Sequence, residues 1–176
     1  MRIATVACAV LVAFLASSAS ASTLRVPGGC ATIQSAIELA TNGDTILVAP
    51  GSYGGTAPIV FDTKGNVRLV SEAGRVVTGI NAPLELLNSS KIVVSGFAIN
   101  GGITIICNTG TVVTGCAVTN STGSGIVVTR CPAGAYSNVE IVGNIIHDSF
   151  THGVEGDLSG GMAAITGNEI YGNGAS

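Results

Sequence analysis

The sequence contains no tryptophan, and only 4% of its 176 residues are aromatic. Charged residues make up 10%, whereas an average soluble domain has roughly 25%. Ten acidic residues outnumber seven Lys and Arg, which gives a net charge of −3 at pH 7. Because no basic stripe is available to neutralise phosphates, we expect no nucleic-acid partner.

Aliphatic residues and glycine take the place of the missing charge. Hydrophobic residues reach 47%, and the 25 glycines follow no three-residue period, which excludes collagen. A chain rich in Gly, Val, Ile, Thr and Asn favours repeated short strands and tight turns over helices. The length suits one domain with its own core.

The first 21 residues are typical of a secretory signal peptide. Arg2 supplies a positive start, residues 3–15 are apolar, and residues 19–21 read Ala-Ser-Ala, a match to a small-residue cleavage site. A membrane anchor is the alternative, but this apolar run is too short to span a bilayer. We therefore expect a secreted or periplasmic protein that starts at Ser22 and has no membrane contact after cleavage.

Residues 22–66 are predicted to form an N-terminal cap with one helix and the first strands. Thr32 can cap a helix that ends at Asn42-Gly43, and strand-like runs occupy residues 44–49 and 67–71. A single helix followed only by strands is expected to cover the open end of a sheet stack. The helix face that would pack on the stack comprises Ile33, Ala36, Ile37 and Ala40.

Residues 67–176 are predicted to form the coils of a solenoid, because the chain repeats from residue 91 onward. The first register comprises Gly96, Gly115, Gly143 and Gly167, and the second Gly102, Gly125 and Gly153. In the first register an aliphatic residue stands two positions before and three positions after every glycine, and the mean spacing is about 24 residues, a solenoid period. Stacked coils of this kind bury continuous Val and Ile ladders that no single coil could bury. The fold class predicted is an all-β solenoid.

One slot of the repeat holds Asn144 and Asn168, where the side-chain amides can hydrogen-bond between coils as a ladder. Phe97 and Cys116 occupy that slot in earlier coils.

Four cysteines remain after the leader: Cys30, Cys107, Cys116 and Cys131. An even number in an exported chain suits up to two disulfides, although buried free thiols are an alternative. Cys107 and Cys131 are one coil apart, so stacking puts their Cα atoms about 5 Å from each other, within bonding range. That bridge leaves Cys30 with Cys116 as the second predicted pair. No C-x-x-C pair favours a thiolate metal site.

The N-terminal segment resembles the cap of secreted right-handed parallel β-helix proteins. The similar stretches are residues 32–37 (Thr-Ile-Gln-Ser-Ala-Ile) and 43–51 with Tyr53, and residues 70–74 and the Gly-Asn-x-Ile coils are also similar to the pectin-lyase-like superfamily. The resemblance covers roughly residues 24–176 and implies a right-handed parallel β-helix. That group includes polysaccharide lyases, hydrolases, uronan epimerases, metal-delivery proteins and surface proteins, so the activity stays open.

The densest polar group lies near the end of the sequence. It comprises His147, Asp148, His152, Glu155 and Asp157. Val154 aligns with inward aliphatic residues of earlier coils, so Glu155 and Asp157 should point outward together. The three acids predict a Ca²⁺ site, and either histidine could act as a catalytic base. The alternative is a solvated turn whose acids only keep one coil face soluble.

Lyases of the resembled superfamily combine Ca²⁺-binding acids with an Arg or Lys that removes a proton beside a uronate carboxyl. Arg130 is the only cation after Lys91, which makes it the candidate here; otherwise it is a turn residue beside Cys131. The superfamily's Trp-x-Asp-His, Arg-x-Pro-x-x-Arg, Asn-Thr-Asp, Asp-Asp and Gly-His-Gly motifs are absent, and Thr151-His152-Gly153 only partly matches the last.

Three functional hypotheses follow. The first is a non-catalytic extracellular or periplasmic module that binds carbohydrate or builds the cell surface. The second is a lyase or epimerase that acts on acidic polysaccharide. The third is a fragment of such an enzyme, because the next second-register glycine would fall at position 177 and the last coil looks incomplete. The oligomeric state is not predicted.

Overall fold

A computed structural model describes residues 20–129, 131, 138–156 and 163–174. They form an all-β parallel solenoid of about six turns with three parallel sheets and one short helix. This architecture is consistent with a right-handed parallel β-helix and confirms the predicted fold class.

Each full turn contributes one short strand to each of three sheets. The elements are β1 (Thr23–Val26), α1 (Ile33–Leu39), β2 (Thr45–Val48), β3 (Gly51–Tyr53), β4 (Ile59–Asp62), β5 (Arg68–Ser71), β6 (Thr78–Ile80), β7 (Leu84–Leu87), β8 (Val93–Ser95), β9 (Ala98–Asn100), β10 (Ile103–Ile106), β11 (Thr111–Thr114), β12 (Ala117–Thr119), β13 (Ile126–Thr129), β14 (Val139–Val142), β15 (Ile145–His147), β16 (Val154–Gly156), β17 (Ala163–Thr166) and β18 (Glu169–Tyr171).

The first sheet has the order β1-β2-β5-β8-β11-β14-β17. The second sheet runs β3-β6-β9-β12-β15-β18, and the third runs β4-β7-β10-β13-β16. β2 belongs to the predicted cap segment (residues 22–66) and β5 to the predicted coils (residues 67–176). The two strands pair with each other, so the cap segment and the coils share the first sheet.

The strand register follows the glycine registers. In the first sheet the aligned residues are Val94, Val113, Ile141 and Ile165. In the second sheet they are Ile99, Val118, Ile146 and Ile170. In the third they are Ile103, Ile126 and Val154. The four first-register glycines adopt φ of 62–80°, a left-handed conformation in which glycine has no steric cost. The predicted register is confirmed.

The predicted cap helix is present, with Thr32 as its N-cap in a reciprocal capping box with Ser35. Its predicted apolar face is buried and packs on β1, β2 and β4. The helix ends at Leu39, earlier than predicted, because Ala40 adopts an extended backbone conformation. After this change of direction, the backbone N–H and the hydroxyl of Thr41 donate hydrogen bonds to the Asp44 carboxylate.

The predicted bridge between Cys107 and Cys131 is confirmed, with the Cα atoms 4.5 Å apart. A disulfide fits an oxidising compartment. The second pairing is wrong, since Cys30 and Cys116 are both buried free thiols. Cys30 follows β1 and Cys116 follows β11, and these two strands are four spacings apart in the first sheet. Four spacings amount to about 19 Å, more than twice the ~7 Å reach of a disulfide.

Over the described ranges, no helix has the length and the apolar character needed to cross a bilayer. Residues 1–19, which hold most of the predicted signal peptide, lie outside the described residues.

Candidate functional site

His147 and Asp148 form a side-chain pair at the corner that follows β15. Ile146 points into the core, so its neighbour His147 points outward. The His147 Nδ1 atom lies 2.8 Å from Asp148 Oδ2. The imidazole also stacks on Tyr171, its strand partner in the next coil, with ring centroids 4.9 Å apart and planes inclined by 4°. The histidine ring is therefore oriented by one contact in its plane and another on its face.

The backbone at Asp148 belongs to a column of left-handed residues. Asn120, Asp148 and Gly172 follow the aligned ends of β12, β15 and β18, with φ of 51°, 55° and 59°. Asn, Asp and Gly are the residues that adopt this conformation at least cost. The turn alone therefore accounts for an Asp at this position, and a chemical role has to rest on the neighbouring groups.

An open groove crosses three successive coils at this corner. Its lining residues are Asn120, Ser121, Thr122, Asp148, Ser149, Phe150, Gly172 and Gly174. Hydrogen bonds between coils fix its floor: Phe150 N donates to Ser121 O at 3.0 Å, and Ser149 N donates to Asn173 Oδ1 at 3.0 Å. Phe150 is 61% exposed. The groove thus combines an exposed aromatic ring with hydroxyl, amide and carboxylate groups.

His152 and Glu155 form a second pair beside the third sheet. Val154 packs against the core, as predicted, and Glu155 is exposed. The Glu155 Oε2 atom accepts a hydrogen bond of 2.6 Å from Ser124 Oγ and lies 3.9 Å from His152 Nδ1. The Ser124 hydroxyl also lies 2.7 Å from Thr151 Oγ1. This carboxylate therefore ties two coils together.

The predicted polar group is divided into these two pairs. Among the described residues, no cluster of three or more His, Cys, Asp or Glu is arranged to hold a metal ion. Asp157 and Arg130 lie outside the described residues. The Ca²⁺ site and the catalytic roles of Arg130, His147 and His152 accordingly stay predictions.

Among the acids that the structure describes, the one with the most hydrogen bonds is Asp44, at the other end of the stack. Asp44 is buried immediately before β2, and backbone N–H donors from Thr41 and Ser22 lower its pKa from 3.8 to about 2. At Cys116, by contrast, burial raises the pKa of the thiol. Asp44 was not among the predicted site residues; its position between Gly43 and the start of a strand is the available signal.

Two contacts of the candidate residues were also missed. Tyr171 follows His147 by one period of 24 residues, so the repeat itself could have predicted the stacked rings. Ser124 lies 31 residues before Glu155. This separation differs from the mean repeat of about 24 residues, so the repeat could not have predicted their hydrogen bond.

No protein-family model, no curated protein and no solved structure matches this chain.

Proposed function

We propose that the chain is an exported, non-catalytic β-helix that binds a polysaccharide along the groove between Asn120 and Gly174. The observation that carries the proposal is the groove's composition, an exposed Phe150 beside polar side chains on three stacked coils. Aromatic faces cover the apolar face of a ligand, while a few placed polar groups fix its orientation. A sugar ring has both kinds of surface.

The groove favours an extended ligand. Its three coils extend over two strand spacings, about 10 Å in all. The groove is open to solvent along this length, and its floor is fixed by hydrogen bonds. A polymer can thus contact several coils with little loss of protein conformational freedom.

The charge of the groove favours a neutral polymer. Asp148 has a side chain 61% exposed, and the described residues that line the groove include no Lys or Arg. A uronate carboxylate would meet a like charge here, whereas the hydroxyls of a neutral sugar can donate to Asp148. We therefore infer a neutral polysaccharide as the ligand class.

Export is part of the proposal. The N-terminal 21 residues are typical of a leader, and the Cys107–Cys131 bridge fits an oxidising compartment. The resemblance to the pectin-lyase-like superfamily supports the proposal, because that group includes secreted proteins that act on polysaccharides.

A depletion assay tests the binding. The protein is mixed with insoluble cellulose and insoluble chitin as neutral probes, and with alginate and pectate gels as acidic probes. We expect retention on at least one neutral polymer, and at least a tenfold weaker apparent affinity for Phe150→Ala. Val76→Ala is the matched control, because it truncates a 91% exposed apolar side chain elsewhere. Equal depletion by all three proteins, or none on any neutral polymer, would contradict the proposal.

The oriented His147 favours one alternative, a polysaccharide lyase or epimerase. An imidazole held by a carboxylate is suited to act as a general base. This alternative expects Ca²⁺-dependent release of unsaturated uronates, seen as near-ultraviolet absorbance, from pectate or alginate. Flat traces with both polymers, and no difference for Glu155→Ala or His147→Ala, would exclude it.

A further inference from the structure

Asp44 is 3% exposed, and its carboxylate accepts four hydrogen bonds. Its Oδ2 atom takes 2.8 Å and 2.9 Å bonds from the backbone nitrogen and the hydroxyl of Thr41. Its Oδ1 atom takes two 2.8 Å bonds, from the backbone nitrogen and the hydroxyl of Ser22. Both oxygens are thus satisfied, but every donor is neutral. Within the described part of the chain, no Lys, Arg or His side chain is paired with Asp44.

The sheet fixes Ser22 independently of these bonds. Its carbonyl oxygen accepts a 2.9 Å bond from Thr45 N, and the β1–β2 ladder continues from Thr23 opposite Thr45. Asp44 is fixed in the same way, because its own carbonyl accepts from Arg68 N at 3.0 Å. The short distance between the Ser22 nitrogen and Asp44 is therefore set by the strand register, and we expect it to persist when the residues before Ser22 are removed.

Ser22 is also the residue that the predicted leader cleavage would make the first of the mature chain. A peptidase that hydrolyses the Ala21–Ser22 bond with one water leaves a carboxylate on Ala21 and an amine on Ser22. At neutral pH that amine takes up a proton. We propose that leader removal creates an ion pair between the Ser22 α-ammonium and the buried Asp44 carboxylate, which fastens β1 to the first full coil of the mature protein.

The local environment makes this pair favourable. Asp44 is already desolvated and hydrogen-bonded, so the new positive charge adds attraction at little further desolvation cost to the acid. Ser22 is exposed, so the ammonium hydrogens that do not face Asp44 stay in contact with water. In the precursor only the acceptor of the bond from Ser22 N to Asp44 is ionised; after cleavage the donor is ionised as well, so a bond to a neutral amide becomes an ion pair.

The inference rests on the export part of the proposed function, and the experiment keeps the two apart. Chains that begin at Ser22 or at Ala21 are prepared by cleavage of a fusion, and the α-amine of each is titrated by NMR. The free amine normally has a pKa of about 7.7–8.0. We expect the Ser22 amine to titrate at least one unit higher, a tenfold change worth about 1.4 kcal/mol, and the Ala21 amine to titrate normally. Identical titrations would overturn the ion pair.

Asp44→Asn in the Ser22 chain is the second variant, and it should return the amine to its ordinary titration. Should this variant fail to fold, the comparison of the Ser22 and Ala21 chains still decides the question, because both keep Asp44. Mass spectrometry of the exported full-length chain then tests the cleavage itself. A mature N-terminus other than Ser22 would overturn the inference while leaving polysaccharide binding at the groove, measured separately, unaffected.

Discussion

The interior slot that follows each first-register glycine is filled differently in two parts of the stack. In the middle coils the slot holds Phe97 and Cys116, both fully buried. In the last two coils it holds Asn144, also buried, and Asn168, which is partly exposed. The backbone is the same in all four, since the residues that follow them pair in register.

The two asparagines use their amides in the same way. Asn144 accepts from Cys116 N at 2.9 Å and donates to Val113 O at 2.9 Å. Asn168 repeats both bonds one coil later, with Asn144 N and Ile141 O. It also accepts from the Asn144 side chain at 3.1 Å. The predicted ladder is confirmed, and each member bonds to the coil before it.

The contrast separates two ways to stabilise one backbone. Phe97 contributes through buried apolar area, which has no direction and depends on volume. An asparagine in the same slot contributes only if both halves of its amide meet partners, because a buried unpaired amide destabilises the fold. The middle coils should therefore respond to changes of volume, and the last coils to loss of hydrogen bonds.

Phe97→Ala should have the largest effect. The change leaves a cavity in a fully buried site, and such changes destabilise proteins by about 3–5 kcal/mol. The free energy of unfolding, measured in urea, checks this. Phe150→Ala makes the same change at a side chain 61% exposed and should cost less than about 0.5 kcal/mol. Equal losses at both positions would contradict the assignment of Phe97 to the interior.

Asn144→Ala should have the second-largest effect and lower the free energy of unfolding by about 2–3 kcal/mol. The reason is that the Cys116 N–H and the Val113 carbonyl lose their buried partner. Asn144→Leu restores volume without hydrogen bonds, so it should recover little of that loss. Asn168→Ala is the control, since its site is partly exposed and its loss should be smaller. Recovery of full stability by Asn144→Leu would show that volume, rather than hydrogen bonding, decides this slot.

The stability contribution of Asp44 in the cap should depend on pH, whereas that of Asn144 in the ladder should not. The pKa of Asp44 is lowered from 3.8 to about 2. Its contribution is therefore complete above pH 3.8 and is lost as the pH falls through 2. The difference in Tm between wild type and Asp44→Asn should shrink from pH 5 to pH 2, as thermal scans can show. The difference for Asn144→Ala should stay constant, because an amide does not titrate in this range. A pH-independent gap for Asp44→Asn would contradict the lowered pKa.

Much of the fold could be predicted from the sequence because its rules are local and repeat. Val and Ile alternate with the strand period, and glycine marks corners where φ is positive. The same period gave the Cys107–Cys131 bridge. The second predicted pairing, Cys30 with Cys116, was wrong because it came from counting the remaining cysteines, which says nothing about the position of each thiol along the stack.

The candidate site was less predictable. His147 and Glu155 are eight residues apart, yet a corner separates them, and each finds a partner in another coil: Tyr171 and Ser124. Turn lengths vary between coils, so the spacing of β12 and β15 differs from that of β15 and β18. Side-chain neighbours at the corners thus depend on turn geometry, whereas the interior rows depend only on alternation.

The last expected effect is the smallest and concerns Cys116→Asn. The Cys116 sulfur already lies 3.9 Å from Val94 O, and the backbone N–H of Phe97 points toward it. These are the positions, one coil earlier, of the two groups that Asn144 binds. An asparagine here should therefore accept from Phe97 N, donate to Val94 O and extend the ladder by one coil.

We expect Cys116→Asn to change the free energy of unfolding by less than about 1 kcal/mol, since the new hydrogen bonds offset the burial of the amide. Val118→Asn is the matched control, because it buries the same amide on the next inward position of the same coil, outside the ladder, and should cost about 2–4 kcal/mol. Chemical denaturation of both variants measures the difference. A loss at Cys116 as large as that at Val118 would mean that the ladder depends on the last coils rather than on the slot. A small loss of stability for Cys116→Asn would show that this slot accepts either an apolar side chain or an amide in the middle coils as well.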